Sequence, residues 1–138
     1  MASFIASRAS LGNPGSMRLR CLIVDDNESF LASASRLLES QGAEVVGCTT
    51  SSAEAMSLAA TLSPNVVLVD VQLGEEDGLQ LARRLNAQPE APPVVLISTR
   101  SADEVLELLD DTPAIGFLAK KALGADALLQ LLDHRAPR

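Results

Sequence analysis

The sequence predicts an α/β domain: a doubly wound, five-stranded parallel sheet with helices on both faces, built from a strand–helix unit repeated five times. Three observations predict it. Short runs rich in Val, Ile and Leu alternate with stretches of helical periodicity. The runs are apolar at almost every position rather than every second one, as strands buried on both faces of a parallel sheet are. Gly, Pro, Ser and acidic residues punctuate the boundaries, where caps and turns require them. Such connectivity implies right-handed crossovers and a ligand site outside the carboxyl ends of the strands.

The elements follow in order. Arg20–Asp25 is the first strand. Glu28–Gln41 is a helix, with Phe30, Leu31, Ala34, Leu37 and Leu38 at helical spacing and Gly42 as its stop. Glu44–Thr49 is the second strand, and Ser52–Leu62 a helix capped by Ser51 or Ser52, with Glu54 in its first turn. Ser63-Pro64 ends that helix. Val66–Asp70 is the third strand, Asp77–Ala87 a helix, and Val94–Ser98, introduced by Pro92-Pro93, the fourth strand. A helix over Ala102–Asp110 with Ser101 as cap, a fifth strand over Ala114–Ala119 and a last helix over Ala125–Asp133 complete the pattern. Residues 1–16 are read as a disordered lead and 17–135 as the domain, with Met17 as a second possible start.

The 138-residue length fits one domain. A net charge of −7 argues against a non-specific nucleic-acid or anionic-membrane surface. Aromatic residues are 2% of the chain, with no Trp or Tyr to stack on bases or sugars. No apolar run approaches the roughly 18 residues of a membrane span. Cys21 and Cys48 lie in apolar runs and are expected to be buried thiols rather than a disulfide or metal pair.

The chemistry is expected at the strand ends. The first strand ends at Asp25-Asp26, the third at Asp70, the fourth at Ser98-Thr99, and the fifth runs into Lys120-Lys121. In a parallel sheet these ends share one edge. Close carboxylates repel unless compensated; a divalent cation with oxygen preference, such as Mg²⁺, would do so, and Lys120 adds a positive charge. Such a set suits phosphoryl transfer, with Asp70 at the end of a central strand as nucleophile. Each residue alone has an ordinary reading. Asp25, Asp26 and Asn27 could cap the first helix, Asp70 could be a turn acid, Lys120 a solvated loop residue and Phe117 a core residue. Their recurrence at one end of successive strands is what those readings leave unexplained.

LIVDDN at 22–27, LVDVQLGEEDGL at 68–79, VVLIS at 94–98 and GFLAK at 116–120 together resemble the receiver domain of two-component response regulators, over roughly residues 18–133. The resemblance implies Asp70 as phosphoacceptor and metal ligand. It implies Asp26 as a direct Mg²⁺ ligand, Asp25 as one acting through water, and the Gln72 carbonyl as completing the shell. It places Ser98 and Phe117 as switch residues, Lys120 as the phosphate-binding lysine, Thr99 beside them, and Asp77-Gly78 at the turn opening the third helix. It also implies a cytoplasmic bacterial signalling protein that takes its phosphoryl group from a sensor histidine kinase or phosphotransfer protein and acts on an output domain or downstream protein. No enzymatic activity is expected beyond assistance to its own phosphorylation and dephosphorylation. Three positions depart from the family: Lys121 stands where Pro is usual, Thr99 where Ala or Gly is usual, and Gly74 where Pro is common. A non-proline cis peptide costs about 2.5–4 kcal/mol, so the family's cis bond is not carried over to 120–121.

The competing readings are a degenerate receiver serving only as an interaction module, and a small cofactor binder on the same flavodoxin-like architecture. The second lacks a GxGxxG after the first strand. A phosphatase of the haloacid-dehalogenase type would want an acid where Gln72 stands. His134, near the terminus, is expected to be solvated rather than a phosphocarrier. Leu128, Leu129, Leu131 and Leu132 exceed one narrow helical stripe, and part of them is expected to form a partner surface, including a homodimer.

Overall fold

The computed structural model describes residues 19–99 and 112–135. The helix expected over 102–110, its cap Ser101 and the lead 1–16 lie outside these residues. In chain order the elements are β1 (Arg20–Val24), α1 (Glu28–Ser40), β2 (Glu44–Thr49), α2 (Ser52–Leu62), β3 (Val66–Asp70), the short strands β4 (Gln72–Leu73) and β5 (Glu76–Asp77), α3 (Gly78–Asn86), β6 (Val94–Ser98), β7 (Gly116–Ala119), a 3₁₀ turn (Lys120–Ala122) and α4 (Ala125–Arg135).

The main sheet has the order β2-β1-β3-β6-β7, with every neighbouring pair parallel. Side-chain alternation along the strands builds two cores. Cys21, Ile23, Leu68, Val95 and Ile97 pack with Leu31, Ala34 and Leu38 of α1 and Leu128 of α4. Leu22, Val24, Val67, Val69 and Leu96 pack with Ala55 and Ala59 of α2 and Leu81, Ala82 and Leu85 of α3. The doubly wound sheet expected from continuous apolar runs is therefore present, and β3 and β6 are buried at every position.

The helix ends follow local chemistry. Asn27 caps α1 by accepting from Phe30 N, and Ser51 caps α2 by accepting from Glu54 N. At the other end of α1, Gly42 N donates to Glu39 O and Ala43 N to Leu38 O. These are the paired bonds of a Schellman close, which needs the left-handed backbone Gly42 supplies at φ +94°.

Several boundaries differ from expectation. β1 ends at Val24, yet Asp25 N still donates to Thr49 O, so Asp25 continues the ladder without being a strand residue. β7 begins at Gly116 rather than Ala114, and α4 runs on to Arg135. The β4–β5 hairpin has no apolar run to announce it: Gln72 pairs with Asp77 and Leu73 with Glu76 around Gly74-Glu75. Gly74 sits at φ +60°, which a proline ring, fixed near −65°, cannot adopt. Cys48 is exposed, against the expectation of burial, because β2 is an edge strand; its Sγ lies 3.2 Å from Ser35 Oγ. Cys21 is buried, and burial pushes its thiol up to about 12. In α4, Leu128 is buried and Leu131 and Leu132 pack on the core. Only Leu129 of the four leucines is strongly exposed, at 46%.

One glycine is demanded by close approach. Gly78 N donates to Val71 O at 3.0 Å, and a Cβ at this position would run into the main-chain carbonyl of Asp70. Gly78→Ala is therefore expected to destabilise the fold by about 3 kcal/mol, the upper end of ordinary overpacking. Urea unfolding followed by circular dichroism measures this; a loss below about 1 kcal/mol would show that the turn has room to shift.

Candidate functional site

The carboxyl ends of β1, β3, β6 and β7 meet at one edge, because the parallel register aligns Val24 with Val69, Asp70 with Ile97 and Ser98 with Ala119. Asp25 follows β1 directly and is fully buried; Asp70 ends β3 at 8% exposure; Asp26 faces solvent. Carboxylate oxygens of the three lie within 4.8 Å of one another. Lys120, first residue of the 3₁₀ turn after β7, reaches between the two buried acids: its Nζ is 2.6 Å from Asp25 Oδ2 and 3.2 Å from Asp70 Oδ2.

The chain fixes both buried carboxylates in the same way as it leaves each strand. Asn27 N donates to Asp25 Oδ1 at 2.9 Å, and Gln72 N to Asp70 Oδ1 at 3.2 Å. A carboxylate that accepts from the amide two residues on is an Asx-type turn. This separates the residues that could have been caps: Asn27 caps α1, while Asp25 and Asp26 do not. Asp25 Oδ2 makes no hydrogen bond of ordinary geometry and is compensated by the nearby ammonium.

An open cleft of about 250 Å³ lies over the acids, lined by Asp26, Asp70, Val71, Gln72, Gly74, Ser98 and Thr99. Gly74 lets the hairpin approach Asp26; a Cβ there would stand 3.4 Å from Asp26 Oδ2. Ser98 is buried at the end of β6, and Thr99 is exposed at the rim. Of the residues singled out in the sequence, Asp25, Asp26, Asp70, Gln72, Ser98, Thr99 and Lys120 are thus brought together. Phe117 stands apart: it pairs with Leu96 in β7, is half-buried against the α2/α3 core and does not line the cleft. The 120–121 peptide is trans, as are the other described peptides.

Two contributors were not singled out. The Phe30 ring lies under Lys120, with Nζ 4.4 Å from the ring centroid, a cation–π contact. In sequence Phe30 is one more apolar residue of α1, and no local pattern ties it to a lysine ninety residues on. Glu76 Oε1 accepts from Ser52 N at 3.1 Å, joining the hairpin to the start of α2.

The electrostatics are those of a strained acidic site. Burial raises the Asp70 carboxyl above its ordinary range, the Gln72 amide opposes this, Asp25 adds to it and Lys120 counters it. Burial works against the charge of Lys120, but Asp25 and Asp70 outweigh it and hold the ammonium above the usual lysine value. Lys120 therefore stays charged at neutral pH, and its one ammonium answers a group of three carboxylates.

The comparisons with known proteins agree on one family. A family model for the response regulator receiver domain matches residues 21–133. A protein-glutamate methylesterase/protein-glutamine glutaminase of Shewanella denitrificans is 29% identical over 126 residues, covering 86% of this chain and 32% of the relative. A gliding motility regulatory protein of Myxococcus xanthus is 32% identical over 123 residues, covering 88% of this chain and 16% of that one. The chain thus spans a third or less of these relatives' own length. Among solved structures, the signal receiver domain of the response regulator NarL from Mycobacterium tuberculosis superposes with a TM-score of 0.74 at 26% identity, covering 86% of this chain and 98% of that one.

A pH prediction follows from Asp70. Its folded-state proton affinity is raised, so between the ordinary value near 3.8 and the raised one the folded state keeps a proton the unfolded chain has lost, and stability falls as pH rises. Without divalent cations, Asp70→Asn is expected to raise Tm at pH 7, with the gain vanishing as pH falls below the ordinary carboxylate value. Calorimetric scans of both proteins across pH test this; a variant less stable at pH 7 would mean that the pairing with Lys120 outweighs the burial of the charge.

Proposed function

The chain belongs to the response regulator receiver domain family, and from that premise we propose that Asp70 accepts a phosphoryl group from the phosphohistidine of a sensor histidine kinase or phosphotransfer protein. One observation carries the proposal: a single aspartate ends the central strand, opens onto a cleft, and lies 3.2 Å from a partly buried lysine ammonium among further acids. An Asp70 carboxylate oxygen bonds to phosphorus as the P–N bond of phosphohistidine breaks, its electron pair remaining on the imidazole nitrogen. Hydrolysis later returns the carboxylate and free phosphate. Positioning and charge neutralisation are the main demands of phosphoryl transfer. Lys120, held charged, supplies neutralisation for the phosphoryl oxygens, and Ser98 a hydroxyl to meet one of them. Thr99 at the rim narrows the approach of donor and water.

The donor set fits Mg²⁺. Three carboxylates lie within 4.8 Å with one ammonium to answer them, the all-oxygen, excess-charge environment that hard divalent cations take. Asp25, Asp26 and Asp70 with the main-chain carbonyl of Gln72 would hold the ion. When bound it withdraws charge from oxygens in transfer.

The phosphorylated form is proposed to act in the cytoplasm, through an output domain or downstream protein, by remodelling the surface around β7 and α4. Ser98 meets the new anion, Phe117, which lies outside the cleft, responds only through movement of Ser98, and exposed Leu129 contributes to a partner or homodimer contact. This segment itself is proposed to have no nucleic-acid or membrane-binding role and no enzymatic activity beyond its own phosphorylation and dephosphorylation. Among the described residues no helix is long and apolar enough to cross a membrane.

Intact-mass analysis after treatment with acetyl phosphate and Mg²⁺ is expected to show one added phosphoryl group on the parent and none on Asp70→Asn. A parent that stays unlabelled would instead favour the phosphorylation-independent interaction module. For the metal, Asp26→Ala is expected to weaken Mg²⁺ by at least the roughly ten-fold that loss of even an outer-shell partner costs, and Gln72→Ala, which keeps its carbonyl, far less. Titration calorimetry of both variants decides; equal losses would place the ion elsewhere.

A further inference from the structure

We propose that Glu76 is a positioning residue for the Mg²⁺ end of the cleft: by accepting the Ser52 N–H at the start of α2, it holds the β4–β5 hairpin where Gln72 and Gly74 stand beside Asp26. The inference rests on the reading of the cleft as a Mg²⁺ site.

The hairpin is two residues a side around Gly74-Glu75, far too short to hold its own shape. Its anchors are therefore what place it. Leu73 is buried in the α2/α3 core, and the chain leaves through Gly78, whose amide bonds Val71 O. Both lie toward the sheet. On the returning strand, the tie to another part of the molecule is Glu76 Oε1 on Ser52 N at 3.1 Å, across 24 residues of sequence.

The start of α2 is built to receive it. Thr49 Oγ1 accepts from Ser51 N at 3.0 Å and donates to Glu54 Oε1. Ser51 Oγ accepts from Glu54 N at 3.2 Å. These local bonds leave the Ser52 amide for the hairpin, and a carboxylate is favoured at a helix N-terminus. Because Glu76 pairs with Leu73, and Asp77 with Gln72, freeing Glu76 loosens the segment that carries the Gln72 carbonyl. Gly74, whose absent side chain admits the approach to Asp26, moves with it.

Charge alone offers a rival account, since removing any nearby acid lowers the attraction for a cation. Glu75 separates the two. It occupies the loop of the same hairpin and carries the same charge, whereas the Ser52 tie belongs to Glu76.

The experiment is calorimetric titration of Mg²⁺ alone into the parent chain and into Glu76→Ala, Glu76→Gln and Glu75→Ala. It is paired with acetyl phosphate labelling of each across Mg²⁺ concentrations, with circular dichroism melting to confirm folding. Glu76→Ala is expected to weaken Mg²⁺ about ten-fold, as loss of an outer-shell partner does. Glu76→Gln, which keeps an acceptor oxygen, recovers most of the affinity, and Glu75→Ala changes it by less than about two-fold because an exposed charge is screened. The Mg²⁺ concentration for half-maximal labelling rises in Glu76→Ala while the saturated rate holds, a split that general destabilisation would not produce. Parent-like affinity in Glu76→Ala overturns the inference, as does an equal loss in Glu75→Ala. Should Glu76→Ala not fold, parent-like affinity in Glu76→Gln against a loss in Glu76→Leu, equally uncharged but without an acceptor oxygen, carries the same decision, and equal affinities overturn it. A parent chain that binds no Mg²⁺ overturns the reading of the cleft itself, and shows it before any variant is made.

Discussion

Two carboxylates out of water beside each other, with one ammonium between them, set the terms for the rest of this molecule. Lys120 touches Asp25 at 2.6 Å and Asp70 at 3.2 Å, and a third acid, Asp26, completes a group within 4.8 Å. Burying ions costs several kcal/mol each even after relaxation, and one cation cannot cancel three anions. The fold therefore gives up stability at this edge, and the apolar packing on both faces of the sheet offsets the cost. The site is tolerable because it sits where four strand ends leave the core, so every acid has water or a main-chain amide on one side.

The register of the sheet and the local turns then divide the labour. The parallel pairing of β1, β3, β6 and β7 fixes which residues share the edge. The turns fix how the acids point: Asp25 and Asp70 each accept from the amide two residues on, so neither carboxylate swings freely. Phe30 reaches the same end from α1 and puts an aromatic face under Lys120. The ammonium is thus held by two charges and a ring, while its four-carbon stem keeps the length to follow a charge that moves. Gly74 and Gly78 are the backbone counterpart of this arrangement. One takes φ +60° beside Asp26 and the other passes too close to the Asp70 carbonyl for any side chain.

Most of the fold was legible because it rests on local pattern. Runs apolar at every position gave β3 and β6 to the residue, and Gly42, Ser51 and Asn27 marked helix ends through chemistry confined to a few neighbours. The acids and Lys120 were legible as a set because a parallel sheet turns scattered strand ends into one place. What escaped was non-local or masked by ordinary composition. The β4–β5 hairpin has no hydrophobic period, since its shape comes from Gly74 and from pairing across two residues. Cys48 read as buried because an edge strand and an inner strand share an apolar signature. The contacts of Phe30 with Lys120 and of Glu76 with Ser52 join positions far apart in sequence, and nothing in the residues near either one announces its partner.

The charge balance of the site connects this geometry to a change of state. Three carboxylates and one ammonium sum to −2, which a divalent cation would bring to zero. Converting Asp70 to an acyl phosphate replaces one negative charge with about −1.5 to −2, so the neutralised site gains up to about one further negative charge. Asp25 cannot answer it, because it is buried and tied to the Asn27 amide. The groups that can respond are those whose partners change: Lys120, shared between Asp25 and Asp70, and Ser98, one residue inside the rim. Lys120 opens the 3₁₀ turn that joins β7 to α4, and Ser98 closes β6. An equilibrium shifts only by the difference in interaction between two states; here that difference comes from up to about one further negative charge at the junction of four strands, on a site that was otherwise neutralised.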